Sequence, residues 1–339
     1  MTGLRLSVLD QSPVRKGGTA AQAIAETLEL ARLCDELGYH RYWLSEHHGT
    51  SLASATPEIL IGQVAAQTKR IRVGSGGVML THYAPLKVAE QFRMLETLFP
   101  GRIDLGIGRA PGSDTRTARA LADGHAMADV DRYPEMLMDV YGFMSGNLPP
   151  THPYFGLKAQ PAGETLPEMW LLGSSRASAR FAAELGWAFC FAHFISQEGP
   201  ETVLKEYEAA FQPSPFLAAP RTAMGVAVTC AETDEKAEYL SWSRWGSRVV
   251  TRARGQQGGG VITPEEAMAL DYTEPELDYL AYLRQTYIHG SPGTVRARLE
   301  ELASEYGAEE LVLVTITYDF EARKESYRLL AGEFGLQGG

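Results

Sequence analysis

Arg41-Tyr42-Trp43-Leu44-Ser45-Glu46-His47-His48 reads as a short apolar strand that ends in a carboxylate and two adjacent imidazoles. Imidazole exchanges protons near neutral pH, so a histidine pair at a strand end is a candidate for chemistry. The plainer reading is one packed histidine and one solvated one. The flanking sequence decides what the stretch belongs to. Upstream, Leu4 to Leu9 alternates as a strand and Asp10-Gln11-Ser12-Pro13 ends it. Ala20 to Leu37 puts Ile24, Leu28, Ala31 and Cys34 at helical spacing, and Gly38 stands where a C-cap glycine belongs. The opening stretch is therefore the second strand of a strand–helix–strand run.

The unit recurs downstream. Thr56-Pro57, an N-cap followed by a first-turn proline, opens a helix to about Thr68. Ile71 to Val73 predicts a third strand that runs into Gly74-Ser75-Gly76-Gly77. Pro85 opens a helix with Val88, Phe92, Leu95 and Phe99 on one face, and Ile103 to Ile107 predicts a fourth strand. Met169 to Leu172, Trp187 to Phe191, Ala223 to Thr229 and Leu311 to Ile316 supply four more, with helical stretches between them and a closing helix from Glu321 to Phe334. Strict alternation gives a parallel sheet, and eight units close into a (β/α)8 barrel of the α/β class; an open doubly wound sheet is the alternative. One domain over residues 1–339 is expected. It carries an insertion at about 110–167, read as a lid or substrate loop with helices at Thr117 to Leu121 and Asp129 to Met144. The Gly/Gln-rich segment at about 251–264 has no apolar period and is expected to be a mobile loop.

Composition narrows the partners. A net charge of −11 argues against a general nucleic-acid binder and against an anionic membrane surface, while leaving room for a local positive pocket. Cys34, Cys190 and Cys230 are odd in number and far apart, without metal or redox spacing. Free, mostly buried thiols in a reducing compartment follow. The N-terminus opens straight into a strand-like run, so a cytoplasmic location is expected.

In a barrel of this kind chemistry sits at the C-terminal ends of the strands. That rule gathers Asp10-Gln11-Ser12, Glu46-His47-His48, Gly74 to Met79 with its Gly76-Gly77 pair, Gly108-Arg109, Gly173-Ser174-Ser175-Arg176 and Ala192-His193 at one mouth. Gly173-Ser174-Ser175 before a helix offers hydroxyls, free N–H groups and the positive end of a helix dipole, an anion site of the phosphate type. Arg176 or Arg109 would add a bidentate contact. An ordinary serine-capped helix start reads equally well. No Walker loop and no G-x-G-x-x-G dinucleotide fingerprint is present. Gly76-Gly77 suits a flat ring lying against main chain, or else a tight turn. Adjacent histidines on an extended strand point oppositely, so no catalytic metal is expected.

With these pieces in place the chain resembles the bacterial luciferase-like flavin monooxygenases. The matching stretches are Leu6-Ser7-Val8-Leu9-Asp10-Gln11-Ser12-Pro13, Gly38-Tyr39 through Trp43 to Glu46-His47-His48, and Arg72-Val73-Gly74-Ser75-Gly76-Gly77-Val78-Met79-Leu80. Ala89-Glu90-Gln91 with Pro100-Gly101-Arg102, Leu105-Gly106-Ile107-Gly108-Arg109, Trp170-Leu171-Leu172-Gly173-Ser174-Ser175 and Gly290-Ser291-Pro292 complete the order. The resemblance implies a TIM barrel working with reduced FMN. It implies a phosphate held by Ser174, Ser175 and Arg109, with Gly173 and Arg176 beside them. It implies a flavin ring near Gly76-Gly77, where related proteins often carry a non-prolyl cis peptide.

His47 falls where the luciferases have a catalytic histidine. Gly108 falls where luciferase has a reactive cysteine, so chemistry that needs that thiol is not available. The implied reaction takes FMNH2 from a separate NAD(P)H:flavin reductase, since this chain has no nicotinamide fingerprint. O2 then gives a flavin C4a-hydroperoxide, and an oxygen atom passes to a small organic substrate. His47 is expected as base or hydrogen-bond partner, oriented by Glu46, with Asp10, His48 and His193 around the substrate. Members of the family often form homodimers. The rival readings are an F420-dependent dehydrogenase of the same barrel superfamily, a non-catalytic flavin-binding protein and, third, a metal-dependent barrel hydrolase.

Overall fold

The computed structural model describes residues 3–49, 51–110, 112, 114–122, 132–196, 199–255 and 259–338. Ten strands form one sheet system: β1 (Arg5–Asp10), β2 (Arg41–Leu44), β3 (Arg72–Ser75), β4 (Val78–Met79), β5 (Ile103–Gly108), β6 (Glu168–Gly173), β7 (Ala188–Ala192), β8 (Thr222–Cys230), β9 (Ile288–Gly290) and β10 (Glu310–Val314). Eight of them pair in parallel in the order β10-β1-β2-β3-β5-β6-β7-β8, and β8 pairs with β10 to close the ring. The expected (β/α)8 TIM barrel is what forms. β4 and β9 were not expected from the sequence. They are two and three residues long, pairing onto the far ends of β5 and β8, and no hydrophobic period is legible over so few positions.

Local chemistry fixes where elements start and stop. Thr19 and Gln22 form a reciprocal capping box at the start of helix Ala20–Leu37. Gly38 ends it at φ 88°, a conformation that needs glycine, and a Cβ there would lie 2.6 Å from the Gln337 carbonyl oxygen. Helices around the barrel turn apolar stripes onto its outer face, giving a continuous layer that includes Leu30, Ile61, Phe92, Val140, Ala182, Val203, Leu299 and Leu330.

The barrel interior has two parts. Its upper layer is apolar: Leu9, Trp43, Trp170, Cys190, Val312 and Val314 pack together. Its floor, at the N-terminal ends of the strands, is ionic. Arg41 is fully buried and reaches Asp104 (2.8 Å), Glu310 (2.8 Å) and Glu168 (3.0 Å). Arg72 also pairs with Asp104, Arg221 pairs with Glu168, and Trp43 donates its indole N–H to Asp104 at 2.9 Å. Burial opposes ionisation of Asp104, but the Arg41 and Arg72 guanidiniums hold its carboxyl below the usual range. The charges compensate one another, which is the condition for burying them at all.

The insertion after β5 is docked rather than loose. Helix Thr115–Ala122 comes first, and helix Tyr133–Ser145 then packs Leu137, Val140, Phe143 and Met144 into the main core beside helix Pro85–Leu98. Its tail is clasped by Arg93, which donates to the carbonyls of Pro161, Gly163 and Thr165. Of the region read as a lid or substrate loop, this half is wall. The expected helix start at 129–131 lies outside the described residues.

The segment 251–264 is likewise only partly a loop. Helix Asp234–Arg248 continues as a π-turn over Val249–Ala253. Val261 is buried and exchanges main-chain hydrogen bonds with Val14 and Lys16. Residues 256–258, at the centre of the expected mobile loop, lie outside the described residues. Helices Pro264–Met268 and Glu274–Thr286 follow, on a part of the sequence from which no element was read. Among the described residues no helix is long and apolar enough to cross a membrane.

Candidate active site

The strand ends at the barrel mouth enclose a cavity of about 630 Å³. That volume suits a cofactor or small ligand. His47, Gly76, Gly77, Gly108, Arg109, Gly173, Ser174 and Ser175 all line it, so most of the residues chosen from sequence do meet. Leu9, Trp43, Leu172 and Val312 give it apolar walls.

The floor of this cavity on one side is bare main chain. The Gly76–Gly77 peptide is cis, as the resemblance implied. A Cβ on Gly76 would stand 2.6 Å from Leu9 Cδ1, and one on Gly77 2.8 Å from the Gly106 carbonyl oxygen, so neither position has room for a side chain. Across the cavity, Ser175 caps helix Arg176–Leu185, with Ser174 and Ser178 beside it. Hydroxyls and the free N–H end of a helix meet there, and Arg109 lines the same cavity. This set fits a phosphate, and the bare peptide fits a flat ring.

His47 is held from both sides. The Gln11 side-chain amide lies 3.2 Å from its Nε2, and its ring also bonds the Gly112 carbonyl. A ring N–H donates to the Gly112 carbonyl; with Nε2 facing the Gln11 amide nitrogen, Nδ1 is that donor and Nε2 accepts from the Gln11 N–H. Burial lowers the His47 pKa; the hydrogen bond to the Gly112 carbonyl opposes this, and His48 and Arg248 nearby add to the lowering. The imidazole is thus a neutral base at neutral pH.

Five expectations about neighbouring side chains are corrected. Glu46 does not orient His47. Its Oε1 accepts from His48 Nε2 (2.8 Å) and Tyr83 Oη (2.7 Å), and its Oε2 from the Met79 N–H (2.8 Å). It is fully buried and braces the chain just after the glycine pair. His48 accordingly sits behind the cavity wall, edge-on to His82, rather than in the substrate pocket.

Asp10 is not in the pocket either. Side chains on a strand alternate, and in β1 it is Leu9 and Gln11 that face the mouth. Asp10 points outward to Arg323 (2.8 Å) and Tyr42, and its Oδ1 accepts from the Ser12 N–H to close the turn that carries Gln11. Although burial pushes its carboxyl up, Arg323 holds it below the usual range.

Arg176 lies on the outer side of its helix, 59% exposed, paired with Glu206 at 3.0 Å. Arg109 and Arg248 are the arginines that line the cavity with the serines. His193 faces a neighbouring cavity of about 600 Å³ together with Arg248 and Arg252. Its pKa is lowered by burial.

Gln11 stands at the expected mouth with Asp10 and Ser12 but carries no assigned role there; the structure sets it against His47. Arg248 had no local signal, because it reaches the mouth from a helix that folds back over the barrel. Cys190 also lines the cavity, but burial pushes its thiol well up, which removes it as a nucleophile.

Residues 4–310 match the luciferase-like monooxygenase family. The uncharacterized protein YceB of Bacillus subtilis (strain 168) is 44% identical over 98% of this chain and 99% of its own length. The N-acetyl-S-alkylcysteine monooxygenase of the same organism is 39% identical over 97% of both chains. The crystal structure of apo-MsnO8 superposes with a TM-score of 0.89 at 37% identity, covering 100% of this chain and 99% of that one. More distant structures share the fold. The oxygenating constituent of 3,6-diketocamphane monooxygenase from Pseudomonas putida, solved with FMN, has a TM-score of 0.69 at 21% identity, covering 97% of both chains. An F420-dependent secondary alcohol dehydrogenase has 0.67 at 15%, covering 97% of this chain and 99% of that one.

Proposed function

The chain belongs to the luciferase-like monooxygenase family, and from that premise we propose that it oxygenates a small organic substrate with O2 and FMNH2 delivered by a separate NAD(P)H:flavin reductase. One observation carries the reading: a single cavity brings together the bare Gly76–Gly77 main chain, the Ser174–Ser175 helix start, Arg109 and the neutral His47.

Reduced flavin, when bound, supplies the electrons that activate O2. The protein's own part follows from its residues. Ser174, Ser175 and Arg109 hold the phosphate, with Gly173 allowing close approach. Gly76 and Gly77 present main chain to the ring. Leu9, Trp43, Leu172 and Val312 exclude water. His47 takes or returns a proton at Nε2, with Nδ1–H fixed on the Gly112 carbonyl. Glu46 positions the segment after the glycine pair rather than acting on a proton.

The test is a titration of the purified protein with FMN and with F420, followed by oxygen uptake with a flavin reductase and a substrate panel. N-acetyl-S-alkylcysteines belong on that panel, because a relative is named for them. FMN binding with substrate-dependent oxygen uptake is the expected result. Preference for F420 would make the chain a dehydrogenase. Flavin binding without turnover on any substrate would make it a carrier.

A further inference from the structure

The mouth cavity has a neighbour on its Gln11 side. A second chamber of about 280 Å³ shares Gln11 and Arg248 with it and is walled by Leu52, Val250, Val261 and Ile316. Three arginines spaced four residues apart, Arg244, Arg248 and Arg252, line this chamber. Arg248 lines the neighbouring chamber beside His193 as well. Among the described residues no aspartate or glutamate lines any of the three chambers, although the chain carries a net charge of −11.

Arg244 is the informative member. It is only 6% exposed. Its guanidinium lies 5.5 Å from the centre of the Tyr287 ring, and among the described residues it has no carboxylate partner. Burial draws its pKa down to about 10, so it stays charged at neutral pH. A desolvated cation without a counter-ion is costly, and side chains in that state usually serve a ligand that supplies the missing charge. The phosphate-type set of Ser174, Ser175 and Arg109 does not line this chamber. A flavin seated there leaves the Arg244 charge unanswered.

We propose that the chamber beside Gln11 is a substrate subsite for a small amphiphilic organic anion, its carboxylate or sulfonate head on Arg244 and Arg248 and its apolar body along Leu52, Val261 and Ile316. The inference rests on the oxygenation reading of the larger cavity and names the substrate class for it. Because Gln11 and Arg248 belong to both chambers, a molecule anchored by its head extends towards His47.

Calorimetric titration of the full-length protein with hexanoate, hexanesulfonate, hexanamide, hexylamine and inorganic sulfate tests this without any flavin present. The two organic anions bind about tenfold or more tighter than hexanamide and than sulfate, and Arg244→Gln removes that advantage while leaving hexanamide unchanged. Arg248→Gln is the second variant should Arg244→Gln fail to fold, and it moves the anions in the same direction. Equal binding of hexanoate and hexanamide overturns the proposal. So does sulfate binding as tightly as hexanoate, or competition between hexanoate and FMN for one site. If hexanoate binds as stated but FMN does not bind at all, the subsite stands and the flavin reading falls.

Discussion

The Oε1 atom of Glu46 lies 2.8 Å from Nε2 of His48, which ties the acid of the Glu-His-His stretch to its second histidine and leaves the first to Gln11. The two histidines therefore divide chemistry from architecture.

His47→Ala is expected to lower turnover by roughly 10²–10⁴-fold with FMN affinity nearly unchanged. His48→Ala instead lowers the urea midpoint and disturbs FMN binding through Glu46. Product formation in the reductase-coupled assay and flavin titration separate the two. Full activity in His47→Ala would remove it from the mechanism.

Gln11→Ala should move the acid limb of the kcat/KM profile to higher pH. The Gln11 N–H donates to His47 Nε2 and so favours the neutral ring; without it, protonation sets in earlier on acidification. The readout is the pH profile with one substrate. An unmoved limb would assign it to another group.

Arg109→Ala should weaken FMN chiefly through its phosphate. Riboflavin, which lacks the phosphate, should bind both proteins alike. An equal loss for both ligands would place Arg109 elsewhere on the flavin.

Arg41→Met should destabilise the fold by about 3–5 kcal/mol, because it leaves Asp104 and Glu310 buried without their shared cation. Urea unfolding measures this, and a change below roughly 1 kcal/mol would mean the floor admits water or relaxes.

Stability should fall on mild acidification. His40 is held at about 4, against an ordinary 6.5, by burial and then by the Arg41 charge. The unfolded chain takes up this proton first, so stability is full above about 6.5 and is lost as pH drops towards about 4. His40→Gln should flatten the urea midpoint across that window. Identical slopes in the two proteins would put the acid sensitivity on other groups.

Much of the fold was legible because its signals are local and repeated. Apolar runs, Thr-Pro and Ser-Pro helix starts and glycine C-caps recur in step, and each marks an element by its own chemistry. The mouth was legible through the rule that strand C-termini converge. What the sequence concealed was direction and distance. Asp10 and Gln11 differ by one residue, and only strand register sends one to Arg323 and the other to His47. Arg176 sits one residue past Ser175, yet helical rotation turns it to Glu206. Arg244 and Arg248 come from a helix far along the chain, and nothing in their own neighbourhood points to the mouth.

The ionic floor has a consequence for traffic. Arg41, Asp104, Glu310, Arg72, Glu168 and Arg221 plug the end of the barrel opposite His47. The barrel is a blind alley, not a tunnel. Whatever reaches His47 therefore arrives and leaves on the mouth side, never through the barrel axis.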